Sequence, residues 1–444
     1  MGITLKQAAG GGLCLQGDLE ELRGAMDAGL PAQIGTSRVR LRPSRVKDRL
    51  LLQADGGSFK VPGTWRLRWT ESDGRIRIGP VLAIFTSSSR RRGARRFAGL
   101  TGRFRRFVED SRRMGALAFV FTPKGVKWTT RTITGFTFVG RGKRGRWVPG
   151  TFPFPNVVYN RVPNRRAESR PLVRSVLERL LTDPELHIFN PRFLDKWEVY
   201  EILSRSEGVS EHVPATERCE SLEGLLRFVR AHRHVYLKMA GGSLGRGTAR
   251  VDLSPSGRFR WRATRPGGHM VKMNLKGERA LDRQLQRLRR RGPYLMQEAV
   301  QVLRSKGRPF DVRALVQKDP DGRWRITGTA ARIAGPGQIT THRPRGGSRA
   351  KLVPLIRSIF RSPEAAGRVI QELNRVILRA AEAFDRETGW GHGEVSMDVA
   401  IDREGRPWVL EINSKPMVFD EPAIRRLARK RLLRYCFSKA GFNW

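Results

Sequence analysis

The chain has 444 residues, 39% of them hydrophobic, with 86 Lys and Arg against 41 Asp and Glu and a formal net charge of +45. That length allows two or three domains with a substantial core, and no apolar run approaches the roughly 18 residues of a membrane span. Cys14, Cys219 and Cys436 form neither a zinc spacing nor a disulfide framework, and the opening MGITLKQAAGGGLCLQ lacks a basic segment followed by an apolar one. A cytoplasmic place of synthesis without a secretory signal is expected. Basic clusters at 90–96, 103–106, 287–291 and 425–434 allow two readings: a polyanionic partner such as an anionic polymer or acidic surface, or solvated faces of an Arg-biased chain. They come with no zinc finger, RNP box or helix-turn-helix signature, so nucleic acid is not expected as a specific partner.

In chain order, residues 1–80 alternate with period two in SRVRLRP (37–43), RLLLQA (49–54), TWRLRW (64–69) and RIRIGP (75–80), which predicts a small β-rich domain. Over 81–189 the pattern becomes strand, helix, strand: VLAIFTSS (81–88), GRFRRFVEDSRRMGA (102–116), ALAFVFTP (116–123), NVVYNRVP (156–163). An α/β unit with a largely parallel sheet is expected there. Its helix over 167–183 places Leu172, Val173, Val176, Leu177, Leu180 and Leu181 on one side. From about 190 come helices over 194–207 and 221–232, and a strand–glycine loop–strand over 234–254. A basic helix (277–291), a short strand (294–301) and a hairpin (310–335) follow. The chain closes with a Gly/Pro/Arg-rich loop (336–348), a long helix (362–387), a second hairpin (391–416) and a terminal helix from about 421.

The second hairpin, GHGEVSMDVAIDREGRPWVLEINSKP, alternates Val395, Met397, Val399 and Ile401 against Glu394, Ser396 and Asp398. Its return strand sets Trp408, Leu410 and Ile412 against Glu411 and Asn413. If Ile401 pairs with Trp408, Asp398 lies across from Glu411, and opposed carboxylates repel unless a cation sits between them. Two acids and an amide suit a hard cation such as Mg²⁺, while a plain solvated hairpin face is the structural alternative. YLKMAGGSLGRG (236–247) ends an apolar strand with Lys238 and then carries glycines at 241, 242, 245 and 247, a composition that lets backbone amides approach an anion. It matches neither the P-loop nor the Rossmann spacing. YLMQEAVQ offers Gln297, Glu298 and Val300 at a strand end, and FDVRALV puts Asp311 and Arg313 on one face with Arg332 in the partner strand.

Taken in order, Asp195-Lys196, Lys238 with its glycine hairpin, the Gln-Glu strand, Asp-x-Arg, and Asp398 with Glu-x-Asn resemble the ATP-grasp superfamily over about 190–420. The wording GEVSMDVAID…WVLEINSKPM, with NVVYNRVPNRRAE and ARIAGPGQ…RPRGG, resembles its YheC/YheD group, described as endospore coat-associated. The resemblance implies an α/β (α+β) chain. Its ATP-grasp core would have two lobes holding nucleotide between them, preceded by the β-rich domain (1–80) and an α/β pre-grasp segment (81–189). Within 190–444, residues 235–300 would cover the nucleotide and 301–444 would bind metal. It further implies ATP and Mg²⁺ as cofactors. Lys196, Lys238, Gly241, Gly242, Ser243 and Gly245 would lie at the phosphates, with Gln297, Glu298 and Val300 at the adenine and Asp311 near the ribose. Asp398, Glu411 and Asn413 would hold metal, and Arg313 and Arg332 would act on the substrate carboxylate. The D-Ala–D-Ala ligase branch carries an arginine two residues before its metal aspartate, where this chain has Ser396; Arg332 and the arginines of 343–349 are the candidates to supply that charge. The expected activity is ATP-dependent activation of a carboxylate as an acyl phosphate for attack by an amine or similar nucleophile. A non-catalytic coat scaffold with a basic, polymer-binding surface and a small-molecule kinase are the alternatives.

Overall fold

The computed structural model describes residues 2–8, 13–44, 48–87, 96–242, 247–264, 269–339, 341, 346–360 and 362–443. The strands between Gly2 and Gly79 close into a seven-stranded barrel, and Ile3, Leu5, Leu15, Leu50, Trp65 and Ile76 fill it at 0% exposure. The alternation over 37–79 predicted the later strands. Gly2–Gln7 and Leu13–Gln16, which complete the closure, lie in a Gly-rich stretch with little periodicity.

The second sheet takes the order Arg146–Pro153, Thr132–Val139, Leu117–Lys127, Val81–Phe85, Val157–Asn160, His187–Phe189. Its centre is parallel, as expected. One edge is an antiparallel meander, because a short turn rather than a crossover helix joins 117–127 to 132–139. In the helix Pro171–Leu181, Val173, Val176, Leu177 and Leu180 are buried, while Leu172 and Leu181 are exposed at 50% and 43%. Their positions fall outside the arc of a 3.6-residue repeat that faces the sheet.

The third sheet is antiparallel, in the order Thr216–Arg218, Tyr294–Glu298, His234–Met239, Ala249–Leu253, Phe259–Thr264, Met270–Leu275. The helices Leu222–His232 and Gly277–Arg289 pack on one face through Leu225, Phe228, Leu281 and Leu285. Its opposite face looks onto the fourth sheet, ordered Ser348–Ala350, Trp324–Ile333, Arg308–Lys318, Glu394–Ile401, Pro407–Asn413. Behind that sheet runs the helix Pro363–Thr388. Ser362 caps its start, Gly389 (φ 64°) ends it, and Ala366, Val369, Leu373, Val376, Ile377, Ala380 and Phe384 form its core stripe.

Two joints tie the second sheet to the fourth sheet. Glu394 is 2% exposed and accepts from Arg103 Nη2 at 2.8 Å, from Gln317 Nε2 at 3.0 Å and from the Tyr159 hydroxyl, with Arg161 Nη1 at 3.7 Å. The second joint is the terminal helix Pro422–Lys439, whose Leu432, Leu433, Tyr435, Cys436 and Phe437 enter the core shared by the barrel and the second sheet. The end of the chain thus packs beyond the sheet that it follows in sequence.

Asp385, near the end of the long helix, accepts from Lys318 Nζ at 2.5 Å and from the backbone N–H of His392 at 2.8 Å. Burial opposes its charge, but the bonds from His392 and Lys318 outweigh that cost and hold its pKa at about 2 instead of 3.8. A depressed carboxyl pKa stabilises the fold above the unfolded value, and the contribution is lost as pH falls from about 4 through 2. We predict that Asp385→Asn loses about 2 kcal/mol at pH 7 relative to wild type. The difference between the two urea-denaturation midpoints should narrow steadily as pH is lowered towards 3.

Candidate functional site

The strands Glu394–Ile401 and Pro407–Asn413 do pair as a hairpin, but not in the expected register. Ile401 faces Pro407 and Ala400 faces Trp408, and a bulge between Val399↔Val409 and Asp398↔Glu411 then restores the opposed carboxylates. One extra residue on the return strand changes which side chains face the core: Val409 and Ile412 are buried at 2% and 3%. Leu410, expected on the apolar face, instead lines the cleft beside Glu411. Asp402 builds the turn, accepting from the N–H groups of Glu404 and Arg406 and from Trp408 Nε1, and Gly405 takes φ +90°. The first strand's polar face is not solvated either, since Ser396 is 0% exposed and Glu394 2%.

Each opposed carboxylate has its own cation. Arg313 Nη1 lies 3.0 Å from both Asp398 oxygens, and its Nη2 donates to Ser396 Oγ at 3.3 Å. This cross-strand arginine, directly opposite Asp398 in register, occupies the place beside Ser396 for which Arg332 and 343–349 were the candidates. Arg332 turns instead to Glu421, at 2.8 Å; Arg349 lies 3.8 Å from Asp420 and 3.9 Å from Glu421. Arg343 and Arg345 lie outside the described residues. On the other strand, Lys196 Nζ lies 3.2 Å from Glu411 Oε2 and donates to the Gly242 carbonyl at 2.9 Å. Burial opposes Glu411 ionising, but Lys196 and then Lys238 more than compensate and lower its pKa. Asp195 starts the helix Lys196–Ser204 with a complete capping box, which fixes where Lys196 begins.

Lys238 donates to Gln297 Oε1, and Gln297 Nε2 in turn donates to Thr216 Oγ1 at 3.0 Å. Burial brings the Lys238 pKa down to about 8, partly offset by Glu411. Gln297, expected at an adenine edge, thus orients the lysine. Asp311 accepts from Thr341 Oγ1 at 2.5 Å; burial first, then the Asp398 charge, push its pKa up to about 7. Gly241 and Gly242 lie at the start of the glycine loop, whereas Ser243 and Gly245 lie outside the described residues. Gly247 closes the loop at φ +72°, where a Cβ would sit 2.8 Å from the Tyr294 hydroxyl oxygen, so only glycine fits.

A cleft of about 630 Å³ between the third and fourth sheets gathers Lys196, Lys238, Gly242, Gln297, Glu298, Val300, Asp311, Asp398 and Glu411. That size suits a nucleotide-sized ligand. Asn413 stands opposite the buried Ser396, and neither it nor Arg313, Arg332 or Gly241 is among the cleft-lining residues. Among the described residues no three His, Cys, Asp or Glu side chains converge as a metal cage. Two opposed carboxylates and a nearby amide nevertheless fit Mg²⁺, which takes few protein oxygens and completes its shell with water and substrate phosphates. Each carboxylate already attracts a cation, as that fit requires.

The sequence reading missed residues that brace this site. Asn190 Nδ2 donates to the Glu394 carbonyl at 2.6 Å and to the Ser414 carbonyl, and Arg161 Nη2 and Arg103 Nη1 donate to the Pro416 carbonyl at 3.0 and 2.9 Å. Lys415, buried, pairs with Glu168. The one signal was Glu394 itself, in period-two step with Ser396 and Asp398; its partners Arg103 and Tyr159 lie more than 200 residues earlier in sequence, and Gln317 lies 77 residues earlier.

A family model described as YheC/D like ATP-grasp matches residues 185–438, more than half of the chain. Over 368 residues the chain is 27% identical to the endospore coat-associated protein YheD of Bacillus subtilis (strain 168), covering 82% of this chain and 79% of that protein. It is 21% identical over 302 residues to endospore coat-associated protein YheC of the same organism, covering 67% and 79%. The solved structure of VanG D-Ala:D-Ser ligase from Enterococcus faecalis aligns with a TM-score of 0.46 at 11% identity, covering 82% of this chain and 99% of that one.

The Arg313–Asp398 pair is largely buried, so removing either partner strands a charge. Arg313→Met and Asp398→Asn should each cost about 3 kcal/mol. Together they should cost less than their sum by 1 kcal/mol or more, measured as a double-mutant cycle by denaturation of the ligand-free protein. Strictly additive losses would contradict the pairing.

Proposed function

This chain belongs to the YheC/D-like ATP-grasp family, and on that premise we propose that it is a Mg-ATP-dependent ligase that activates a carboxylate for attack by an amine or similar nucleophile. The observation that carries the proposal is one cleft in which Lys196 and Lys238 face the opposed carboxylates Asp398 and Glu411. Two lysines beside a glycine loop neutralise phosphate charge, and the loop amides from Gly241 onward, Ser243 and Gly245 included, would donate to the phosphate oxygens. Glu298 and Val300 would line the base, with Gln297 holding Lys238 in place, and Asp311 would face the ribose. Asp398, Glu411 and Asn413 would hold Mg²⁺, which when bound draws charge from the transferring phosphoryl group.

In the first half-reaction a carboxylate oxygen bonds to the γ-phosphorus as the bond from that phosphorus to the ADP oxygen breaks. In the second, the nucleophile attacks the acyl carbon and loses a proton, and inorganic phosphate departs with the former carboxylate oxygen. Arg313, already a two-point donor to a carboxylate, would steady the anionic substrate or intermediate when Asp398 turns to the metal. Arg332 acts one step removed, holding Glu421 at the end of the segment that follows Asn413. The names of both relatives, endospore coat-associated proteins, support the spore coat as the setting of this chemistry.

Isothermal titration should show Mg-ATP binding to wild type and at least tenfold weaker binding to Glu411→Ala. Absence of binding by the wild type would contradict the proposal. In a coupled assay, ADP release should depend on an added carboxylate and amine, and mass spectrometry should find a condensed product and not a stable phosphorylated one.

A further inference from the structure

The nucleotide reading uses only the inner part of the cleft, where Lys196 and Lys238, with Arg313 paired to Asp398 from outside the lining, balance Asp311, Asp398 and Glu411 three against three. Its rim is far from balanced. Arg260 and Lys272 line the rim from the third sheet, and Arg304, Arg308 and Arg403 line it from the lobe below. Among the described residues none of these five makes an ion pair; Arg304 reaches only the Gly307 carbonyl, at 2.8 Å. Arg250 and Arg262, also on the rim, share a single carboxylate, Asp252, at 2.7 and 2.5 Å. Glu298 lines the rim itself and Asp252 lies behind it, so seven cations face two anions.

A nucleoside triphosphate with its Mg²⁺ brings a net charge of roughly −2, which leaves a surplus of roughly three positive charges around the cleft. Like charges gathered on both lips repel one another and hold the lips apart unless a further anion joins them. Resting on the ligase reading, we infer that the substrate is a polyanionic polypeptide, an Asp- or Glu-rich segment that lies across the rim while one of its carboxylates reaches the inner site. Two observations favour an acidic peptide over nucleic acid. The cleft-lining rings Tyr236 and Phe310 offer no free stacking platform: the Tyr236 hydroxyl is tied to the Ile339 carbonyl at 3.1 Å and Phe310 is 1% exposed. Nucleic acid also lacks the carboxylate that the inner chemistry takes.

The test uses the full chain with Mg²⁺ and a non-hydrolysable ATP analogue, and follows fluorescent hexaglutamate by anisotropy. Hexaglutamate should bind at least tenfold tighter than hexaglutamine and weaken steeply between 50 and 200 mM salt. Arg304→Ala with Arg308→Ala should weaken it at least tenfold while nucleotide affinity stays within twofold. Arg426→Ala with Lys430→Ala, on the exposed face of the terminal helix, should leave peptide affinity within twofold. Equal binding of the two peptides, equal loss in both double variants, or displacement of hexaglutamate by a lower concentration of an oligonucleotide with the same number of charges would each overturn the inference. If nucleotide binds and hexaglutamate does not, this inference alone fails; if the wild type binds no nucleotide, the ligase reading beneath it fails as well.

Discussion

Two carboxylates directly across a strand pair repel, and the fold keeps Asp398 and Glu411 there only by giving each a cation. Arg313 serves one from the neighbouring strand and Lys196 serves the other from the start of a helix. Neither contact is free to form by chance. Arg313 is opposite Asp398 by strand register, and Lys196 follows a capping box that sets the first turn of its helix. The bulge in the return strand brings Glu411 back into line after the hairpin turn has shifted the pairing by one residue. On the ligase reading proposed above, a divalent ion and phosphates would replace the two side-chain cations on the same oxygens.

That balance depends on a rigid floor. Glu394, Ser396 and Asp398 share one face of a strand, and the first two are buried, Glu394 beneath Arg103 and Tyr159 and Ser396 against Arg313. Asn190, Arg103 and Arg161 then catch the carbonyls of Ser414 and Pro416, so the chain leaving Asn413 is fixed from the same side. Breaking a buried charge cluster of this kind costs several kcal/mol. The second sheet and the residues beside it are therefore part of the site's support, and the terminal helix, packed into the same core, adds a second brace.

The architecture was legible in the sequence wherever periodicity carried it. The long helix, both hairpins of the fourth sheet and the strand–loop–strand around Lys238 follow from period two or 3.6 and from Gly, Pro and Asp turns. Of the residues that motif order brought together, Lys196, Lys238, Gly242, Gln297, Glu298, Val300, Asp311, Asp398 and Glu411 line one cleft. What could not be read was everything that depends on a third dimension. The bulge at Leu410–Glu411 leaves no mark in the residue pattern, so the apolar face of the return strand was assigned one residue out of step. Arg313 and Arg332 sit on neighbouring strands with similar surroundings in sequence; only register and the Glu421 ion pair separate their positions. Gln297 is a strand-end amide until Lys238 and Thr216 are seen on either side of it. Glu394 belongs to a polar face that the sequence describes correctly, yet its burial depends on Arg103, Tyr159 and Arg161, contributed by elements far earlier in the chain.

The central claim is that the opposed carboxylates exchange their side-chain cations for a nucleotide-bound divalent ion. The most direct measurement is a crystal structure with ADP and Mn²⁺ in place of Mg²⁺, located by its anomalous scattering. The account predicts a peak between Asp398 and Glu411, at about 2.1 Å from a carboxylate oxygen of each, with Arg313 drawn off Asp398. A peak elsewhere in the cleft, with the Arg313–Asp398 and Lys196–Glu411 contacts intact, would contradict it.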